Sequence, residues 1–131
     1  PAFSAKVEAL RPRPEIMSAA LETGYAEATD LAELLTSRGV PFRDGYAAAK
    51  AAVAKASAAG KALSELGDDE LAAASPAFAA AGIAAASLCE YLAPMACVAR
   101  RDLPGGPAPA RVREELARLR AFVAGGGGEG P

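Results

Sequence analysis

The sequence predicts an all-α fold, a small domain of short capped helices with a loop rich in glycine and proline before the last helix. Apolar residues recur at three- and four-residue steps along several segments, which is the period of an α-helix. Glycine and proline stand at the ends of these segments, where helices begin and stop. No run alternates cleanly with β-branched residues, so strands are not expected.

The first helical segment spans residues 14–35 and is expected to bend or break between Gly24 and Thr29. Glycine in a helix interior costs roughly 1 kcal/mol relative to alanine. Asp30, with Glu33 three residues later, is predicted to cap the second part of this segment. The segment ends with a basic residue, a left-handed glycine, an apolar residue and a proline. These four residues are Arg38, Gly39, Val40 and Pro41.

Four further helices are predicted after this ending. They are expected over residues 41–59, briefly from residue 68, over residues 76–93 with Gly82 as a candidate interruption, and over residues 110–123. Hydrophobic content is 52%, but alanine buries little area, so the core is expected to depend on larger side chains. The aromatic residues assigned to that core are Phe42, Phe78, Phe122, Tyr25, Tyr46 and Tyr91.

The length of 131 residues suits one domain, expected over residues 1–124 and followed by a flexible tail over residues 125–131. The net charge of −2 gives no broad positive field toward nucleic acid or an anionic membrane. No apolar run approaches the roughly 20 residues of a membrane span, and no secretory signal opens the sequence. We therefore expect a cytoplasmic protein without nucleic-acid or membrane partners. Because the first residue is Pro1 rather than Met, we expect a processed chain or an excised piece of a longer one.

The sequence contains no histidine, which removes the commonest general base and the commonest metal ligand. We therefore expect no catalytic residue, no metal and no cofactor in this chain, and the residues that would bind a substrate are unknown. Cys89 and Cys97 are predicted to be buried structural thiols, with a redox pair as the alternative.

Two groups of charged residues are candidates for chemistry, and a structural interpretation is preferred for each. Asp30 and Glu33 are interpreted as a helix cap rather than an acid–base pair, which would need a pocket and a raised pKa. Arg100 and Arg101 can hold a carboxylate bidentately or hold the last carbonyls of the preceding turn. We prefer the second, structural interpretation.

Three other features are also given structural interpretations. Arg43 beside Asp44 is interpreted as an ion pair or an interface residue rather than a substrate clamp. The Gly105-Gly106 pair is too short for a phosphate loop and lacks its lysine, so it is interpreted as a turn. Tyr46 is interpreted as a core or interface aromatic residue.

Three stretches of the sequence form an ordered set of motifs. They are Ala-Thr-Asp-Leu-Ala at 28–32 with Gly-Val-Pro-Phe-Arg at 39–43, residues 66–71 with Ser-Pro-Ala-Phe at 75–78, and Val-Ala-Arg-Arg at 98–101 with Gly105-Gly106 and Ala-Pro-Ala-Arg-Val at 108–112. In this order they resemble the C-terminal domain of argininosuccinate lyase, and the resemblance spans the chain from about residue 10 to residue 119.

The resemblance implies a small helical unit that follows a long central helical bundle. Members of the family are homotetrameric lyases that release fumarate from argininosuccinate by β-elimination. Their base is a serine in a mobile Gly-Ser-Ser loop of the central domain, and this sequence lacks that loop. Tyr46, Lys50 and Pro107 replace the family's usual His, Gly and Thr, and the segment between Phe78 and Pro94 is longer and alanine-rich. These departures indicate a divergent copy.

Three functions are therefore weighed. The first is a non-catalytic structural and oligomerisation domain of an argininosuccinate-lyase-type enzyme, with a catalytic domain of the same or a partner chain and a homo-oligomer as partners. The second is a stand-alone binding or scaffolding module derived from that domain. The third is a DNA-binding helix-turn-helix over residues 31–53. It is disfavoured because its second helix offers only Arg43, Lys50 and Lys55 among alanines.

Overall fold

The computed structural model describes residues 2–125, which form nine α-helices, one 3₁₀ turn and no strand. The predicted all-α class is confirmed. None of the described helices is both long enough and apolar enough to cross a membrane. The elements in order are α1 (Ala2–Glu8), α2 (Pro14–Gly24), α3 (Ala28–Ser37), α4 (Phe42–Ala59), the 3₁₀ turn (Leu63–Glu65), α5 (Asp68–Ala74), α6 (Ala77–Ala80), α7 (Ala85–Tyr91), α8 (Pro94–Arg100) and α9 (Pro109–Ala124).

A hairpin of α3 and α4 forms the centre of the core. Leu31 and Leu35 of α3 are fully buried against α4. A Cβ placed on Gly45 of α4 would lie 3.3 Å from both the carbonyl oxygen of Ala32 and the Cβ of Leu35, so the two helices approach closely. Residues after α4 cover the other side of the hairpin. The larger ones are Leu63, Leu66, Leu71, Phe78, Ile83, Leu88 and Leu92.

Half of the aromatic residues assigned to the core lie outside it. Phe42, Tyr46 and Phe122 are each more than half exposed, so the prediction was wrong for these three. The seam between α3 and α4 admits small side chains, and α4 therefore turns its alanine face inward and its rings outward. The buried residues of α4 are Gly45, Ala48, Ala49, Ala52 and Ala56.

Two helix ends follow the sequence prediction. The first segment breaks after Gly24, where Tyr25 adopts a left-handed φ of 49° before α3 begins. The Tyr25 hydroxyl donates a hydrogen bond to the carbonyl oxygen of Lys61, 3.0 Å away, which holds the break against the end of α4. At the end of α3, Gly39 has a φ of 91° and the Val40 amide donates to the Leu35 carbonyl, as a glycine-terminated helix requires.

Two helices were not predicted, and one predicted helix is divided. Neither α1 nor α8 was expected. Pro94, expected to stop a helix, instead occupies the first position of α8, where its missing N–H costs nothing. Gly82, with a φ of 62°, separates α6 from α7. The expected flexible tail lies outside the described residues except for Gly125, and the domain limit at residue 124 stays a prediction.

Candidate functional site

A buried carboxylate joins two arginines in a cluster of three charged side chains. Asp30 lies in the first turn of α3, and its exposed fraction is 2%. Arg101 donates from Nη1 to Oδ1 at 2.9 Å and from Nη2 to Oδ2 at 3.0 Å, a bidentate pair. Arg100 Nη2 donates to Oδ1 at 2.9 Å. The three residues connect α3 to the end of α8, about 70 residues along the chain.

This arrangement corrects the prediction that Asp30 caps a helix. The residue before α3 is Glu27, and no side chain makes a capping hydrogen bond there. Asp30 lies inside the helix instead, and both of its oxygens accept from arginines. Glu33 is exposed and contributes no reaching-back bond to the start of the helix.

Arg100 and Arg101 make both kinds of contact that the sequence allowed, with a carboxylate and with backbone carbonyl oxygens. Arg101 holds a carboxylate bidentately, but that carboxylate belongs to this chain. Arg101 also donates to the carbonyl oxygen of Cys97 at 2.7 Å, and Arg100 donates to that of Tyr91 at 2.8 Å. The Arg100 guanidinium lies over the Tyr91 ring, 3.7 Å from its centroid, a cation–π contact. The preferred structural interpretation is therefore confirmed.

The electrostatics of the cluster favour fixed charges. Burial acts to raise the pKa of Asp30, but the hydrogen bonds from Arg101 and Arg100 outweigh it and lower the pKa below its ordinary value. Burial acts against the charge of Arg100, yet its bond to Asp30 raises its pKa. The bond to Asp30 also raises the pKa of Arg101. A carboxylate that is ionised and paired with arginines near neutral pH is poorly suited to general acid–base work there.

The two cysteines differ in environment. Cys97 is 8% exposed beside the cluster, where Arg100 donates to its sulfur at 3.2 Å. Burial raises the pKa of the Cys97 thiol, so the inert thiol form dominates at neutral pH. The prediction of a buried thiol is confirmed for Cys97 and wrong for Cys89, which is exposed. Both are free thiols.

A small cavity of about 160 Å³ adjoins the cluster between α2, α3 and α8. Small-molecule sites usually measure about 300–1,000 Å³, so this space is too small for a typical metabolite. Its wall is mainly apolar, with Asp30 and Arg101 already paired to each other. The lining residues are Leu21, Ala26, Glu27, Asp30, Leu92, Pro94, Cys97, Val98 and Arg101.

The other candidate residues lie apart from the cluster. Arg43 and Asp44 are exposed, and they do not form the predicted ion pair with each other. Gly105 and Gly106 form a turn, as predicted, in which the Gly106 amide donates to the Leu103 carbonyl at 2.8 Å. Tyr46 is exposed and stacks on Phe42, with ring centroids 6.4 Å apart.

Over residues 2–125, no three His, Cys, Asp or Glu side chains come together as metal ligands would. Sequence reasoning missed the pairing of Asp30 with the two arginines. It also missed four further ion pairs: Lys61–Glu70 at 2.8 Å, Arg111–Asp102 at 2.7 Å, Arg111–Glu114 at 2.9 Å and Arg118–Glu115. The available signal was an aspartate among apolar residues of α3 and an Arg-Arg pair able to hold a carboxylate bidentately.

Comparison with known proteins identifies the family. The family model described as "Argininosuccinate lyase C-terminal" matches residues 25–99, more than half of the chain. This chain belongs to the argininosuccinate lyase C-terminal family. The match begins at the left-handed Tyr25 that separates α2 from α3, and it extends to the last turn of α8. It includes residues 31–53, the two helices that were weighed as a DNA-binding helix-turn-helix.

Curated relatives extend the likeness beyond both ends of the family match. An argininosuccinate lyase from Mycolicibacterium paratuberculosis is 42% identical over 124 residues, 95% of this chain and 25% of the relative. One from Saccharopolyspora erythraea is 40% identical over 125 residues, with the same coverage of both chains. One from Laribacter hongkongensis is 39% identical over 112 residues, 86% of this chain and 23% of the relative. The chain spans about a quarter of the length of these relatives.

Proposed function

We propose that this chain is the C-terminal structural domain of an argininosuccinate-lyase-type enzyme. The parent reaction would be the β-elimination of fumarate from argininosuccinate to give arginine, performed by a catalytic body that this chain completes. The observation that carries the proposal is likeness at about 40% identity to argininosuccinate lyases over 95% of the chain. The domain's role in the proposal is to fold against that body and to support its assembly.

The pairing of the charged residues with one another supports a structural role for the domain. Arg100 and Arg101 both donate to Asp30, so the two guanidinium groups already hold a carboxylate of this chain. The cavity beside them is too small for a substrate with two amino-acid moieties. A β-eliminating enzyme needs a base at the acidic carbon and an acid at the departing nitrogen. The cluster supplies neither.

The exposed face of α1 and α2 is the surface proposed to meet the catalytic body. Six apolar residues of α1, α2 and the segment between them are 41–79% exposed, and exposed apolar patches mark interfaces. The alignments with the Mycolicibacterium paratuberculosis and Saccharopolyspora erythraea lyases cover 95% of the chain and thus include α2, which lies before the family match. We therefore assign α2 to the connection with the body. The face consists of Phe3, Val7, Leu10, Ile16, Met17 and Leu21.

A chimeric lyase tests this proposal. The C-terminal quarter of the Saccharopolyspora erythraea argininosuccinate lyase is replaced by this chain, and fumarate release from argininosuccinate is followed by ultraviolet absorbance. The truncated lyase and this chain, each alone, are expected to give no turnover, whereas the chimera turns over. The matched variant Met17→Glu in the chimera should lower activity, while Lys6→Glu, a charge change on α1, should have little effect.

Two outcomes would contradict the proposal. Fumarate release by this chain alone would mean that it holds a catalytic site of its own. A chimera that folds and assembles but never turns over would instead favour the stand-alone binding or scaffolding module. Circular dichroism of the chimera distinguishes this second outcome from misfolding.

A further inference from the structure

The helix α9 carries an apolar stripe that nothing in the described residues covers. None of its sixteen residues is buried. The stripe residues recur at steps of four, three and four, the spacing of alternating d and a positions in a heptad repeat. Their exposed fractions are 43% for Val112, 45% for Leu116, 47% for Leu119 and 75% for Val123.

The residues beside the stripe carry opposite charges on its two sides. In the heptad frame set by Leu116 at a and Leu119 at d, Arg113 and Arg120 occupy e positions and Glu115 occupies a g position. Neither Arg113 nor Arg120 forms an ion pair among the described residues, whereas Glu115 pairs with Arg118 one turn along the same helix and would bridge Arg118 and the partner's arginine in a pair of helices. Charges at e and g set partner choice and helix direction in paired helices.

These charges distinguish the two directions in which α9 can pair with itself. In a parallel pair, the g residue of one helix faces the next e residue of the other, so Glu115 meets Arg120 of the second copy, twice by symmetry. In an antiparallel pair, e faces e, so Arg113 meets Arg120 of the second copy and the contact is repulsive. The charge pattern is therefore self-complementary in the parallel direction alone.

The neighbouring loop leaves the first turns of the stripe open. Gly105 and Gly106 border α9 without side chains, and a groove of about 180 Å³ lies between this turn and the helix. Val112, Leu116 and Leu119 line that groove. Side chains of a second helix could enter here without displacing part of the fold.

We propose that α9 is a self-association surface that pairs in parallel with α9 of a second copy of this chain. The stripe extends from Val112 to Val123, less than two heptads, which is short for paired helices, so the expected affinity is weak and association is concentration-dependent. The inference does not rest on the proposed function, because it uses α9 and not the face of α1 and α2.

Charge reversal tests the partner and the direction together. Sedimentation equilibrium of the 131-residue chain at low salt is expected to show reversible dimers. Glu115→Arg and Arg120→Glu, each alone, replace both attractive contacts by repulsive ones and should weaken the dimer roughly tenfold. An equimolar mixture of these two variants should regain dimers of parent affinity, because each mixed pair again joins opposite charges.

Controls separate this surface from others. Glu114→Arg reverses a charge on the outer side of α9 and should leave the dimer unchanged, while Leu116→Glu should abolish it at every salt concentration. Circular dichroism verifies that each variant keeps its helices.

Three results would overturn the inference. The first is a monomer at all concentrations, with α9 covered instead by the catalytic body. The second is a dimer indifferent to both charge reversals. The third is tighter association of Arg120→Glu alone, which would indicate antiparallel pairing.

Discussion

Asp30 determines how α3 and α8 are joined, and its substitution tests that link. Replacing Asp30 by Asn removes the negatively charged group that accepts three hydrogen bonds from the guanidinium groups of the two arginines. Breaking a buried ion pair costs about 3–5 kcal/mol, but solvent reaches both arginines, so we expect the free energy of unfolding to fall by about 2 kcal/mol. Urea denaturation at neutral pH measures the change. The exposed Glu33→Gln, one turn further along α3, should change it by less than about 0.5 kcal/mol.

The same pair makes the stability of the chain depend on pH in acid. The arginine bonds lower the pKa of Asp30 in the folded chain. Its stabilising contribution is therefore complete above the unfolded carboxyl value of about 3.9 and is lost as the pH falls through the lower folded pKa. The stability difference between the parent and Asp30→Asn should shrink on acidification into that range. A difference that stays constant there would show that Asp30 stabilises by shape and not by charge.

The cysteines give a second residue-scale prediction. Cys89 is exposed, whereas Cys97 is buried and has a raised pKa, so a thiol reagent should modify Cys89 in the native chain and leave Cys97 intact. Mass spectrometry of the alkylated chain, with and without urea, counts the modified thiols. The variant Cys89→Ser should take up no label until it unfolds. Rapid native labelling of Cys97 would mean that the junction of α7 and α8 opens readily.

The sequence could indicate which residues were unusual at this scale but not which of them meet. The sequence pattern indicated both Asp30 and the Arg100–Arg101 pair as candidates for chemistry. Their contact depends on a fold that brings together residues about 70 positions apart. The local pattern of Asp30 and Glu33 favoured a cap, because a capping box is a short-range signal. Burial of Asp30 against α8, a tertiary effect, prevails over that signal.

At the scale of elements, helix ends were easier to predict than helix faces. The ending at Gly39 and the break at Tyr25 follow from backbone chemistry that is local to a few residues. The buried face of α4 depends on its partner, because α3 approaches it closely enough at Gly45 to favour alanine over the rings. The sequence pattern placed Phe42 and Tyr46 on the apolar face of α4, but alanine occurs on every side of this helix, so periodicity alone did not mark the face that is buried.

The loop between α8 and α9 contains a glycine that its surroundings require. A Cβ on Gly106 would collide with the backbone carbonyl oxygens of Arg101 and Leu103. We expect Gly106→Ala to lower the free energy of unfolding by about 2 kcal/mol, since backbone atoms yield poorly. Thermal unfolding measures the loss.

Gly24→Ala is the matched control for that substitution. Nothing lies within 4 Å of a Cβ at Gly24, and the residue is helical. Alanine there should leave stability unchanged or raise it by up to about 1 kcal/mol. Equal losses at the two positions would contradict the crowding attributed to Gly106.

For the whole molecule, burial is unevenly distributed along the chain. The buried residues lie between Asp30 and Ala108, while the described side chains of α1, α2 and α9 lie outside the core. Sequence composition predicted that the core depends on the larger side chains, because alanine buries little area. It could not show that three helices at the two ends would carry exposed apolar faces, because periodicity marks an apolar face without telling which surface covers it.

Hydrogen exchange of the backbone amides tests this division. Short helices without tertiary contacts are marginally stable in water, so α1, α2 and α9 should exchange at low protein concentration long before α3 and α4, whose buried residues open only with the core. Mass spectrometry of peptic peptides resolves the elements.

Raising the protein concentration should slow amide exchange in α9 if this helix pairs with a second copy. Joining the chain to a catalytic body should slow amide exchange in α1 and α2. Strong protection of all three helices in the dilute chain would instead mean that its core extends beyond residues 30–108.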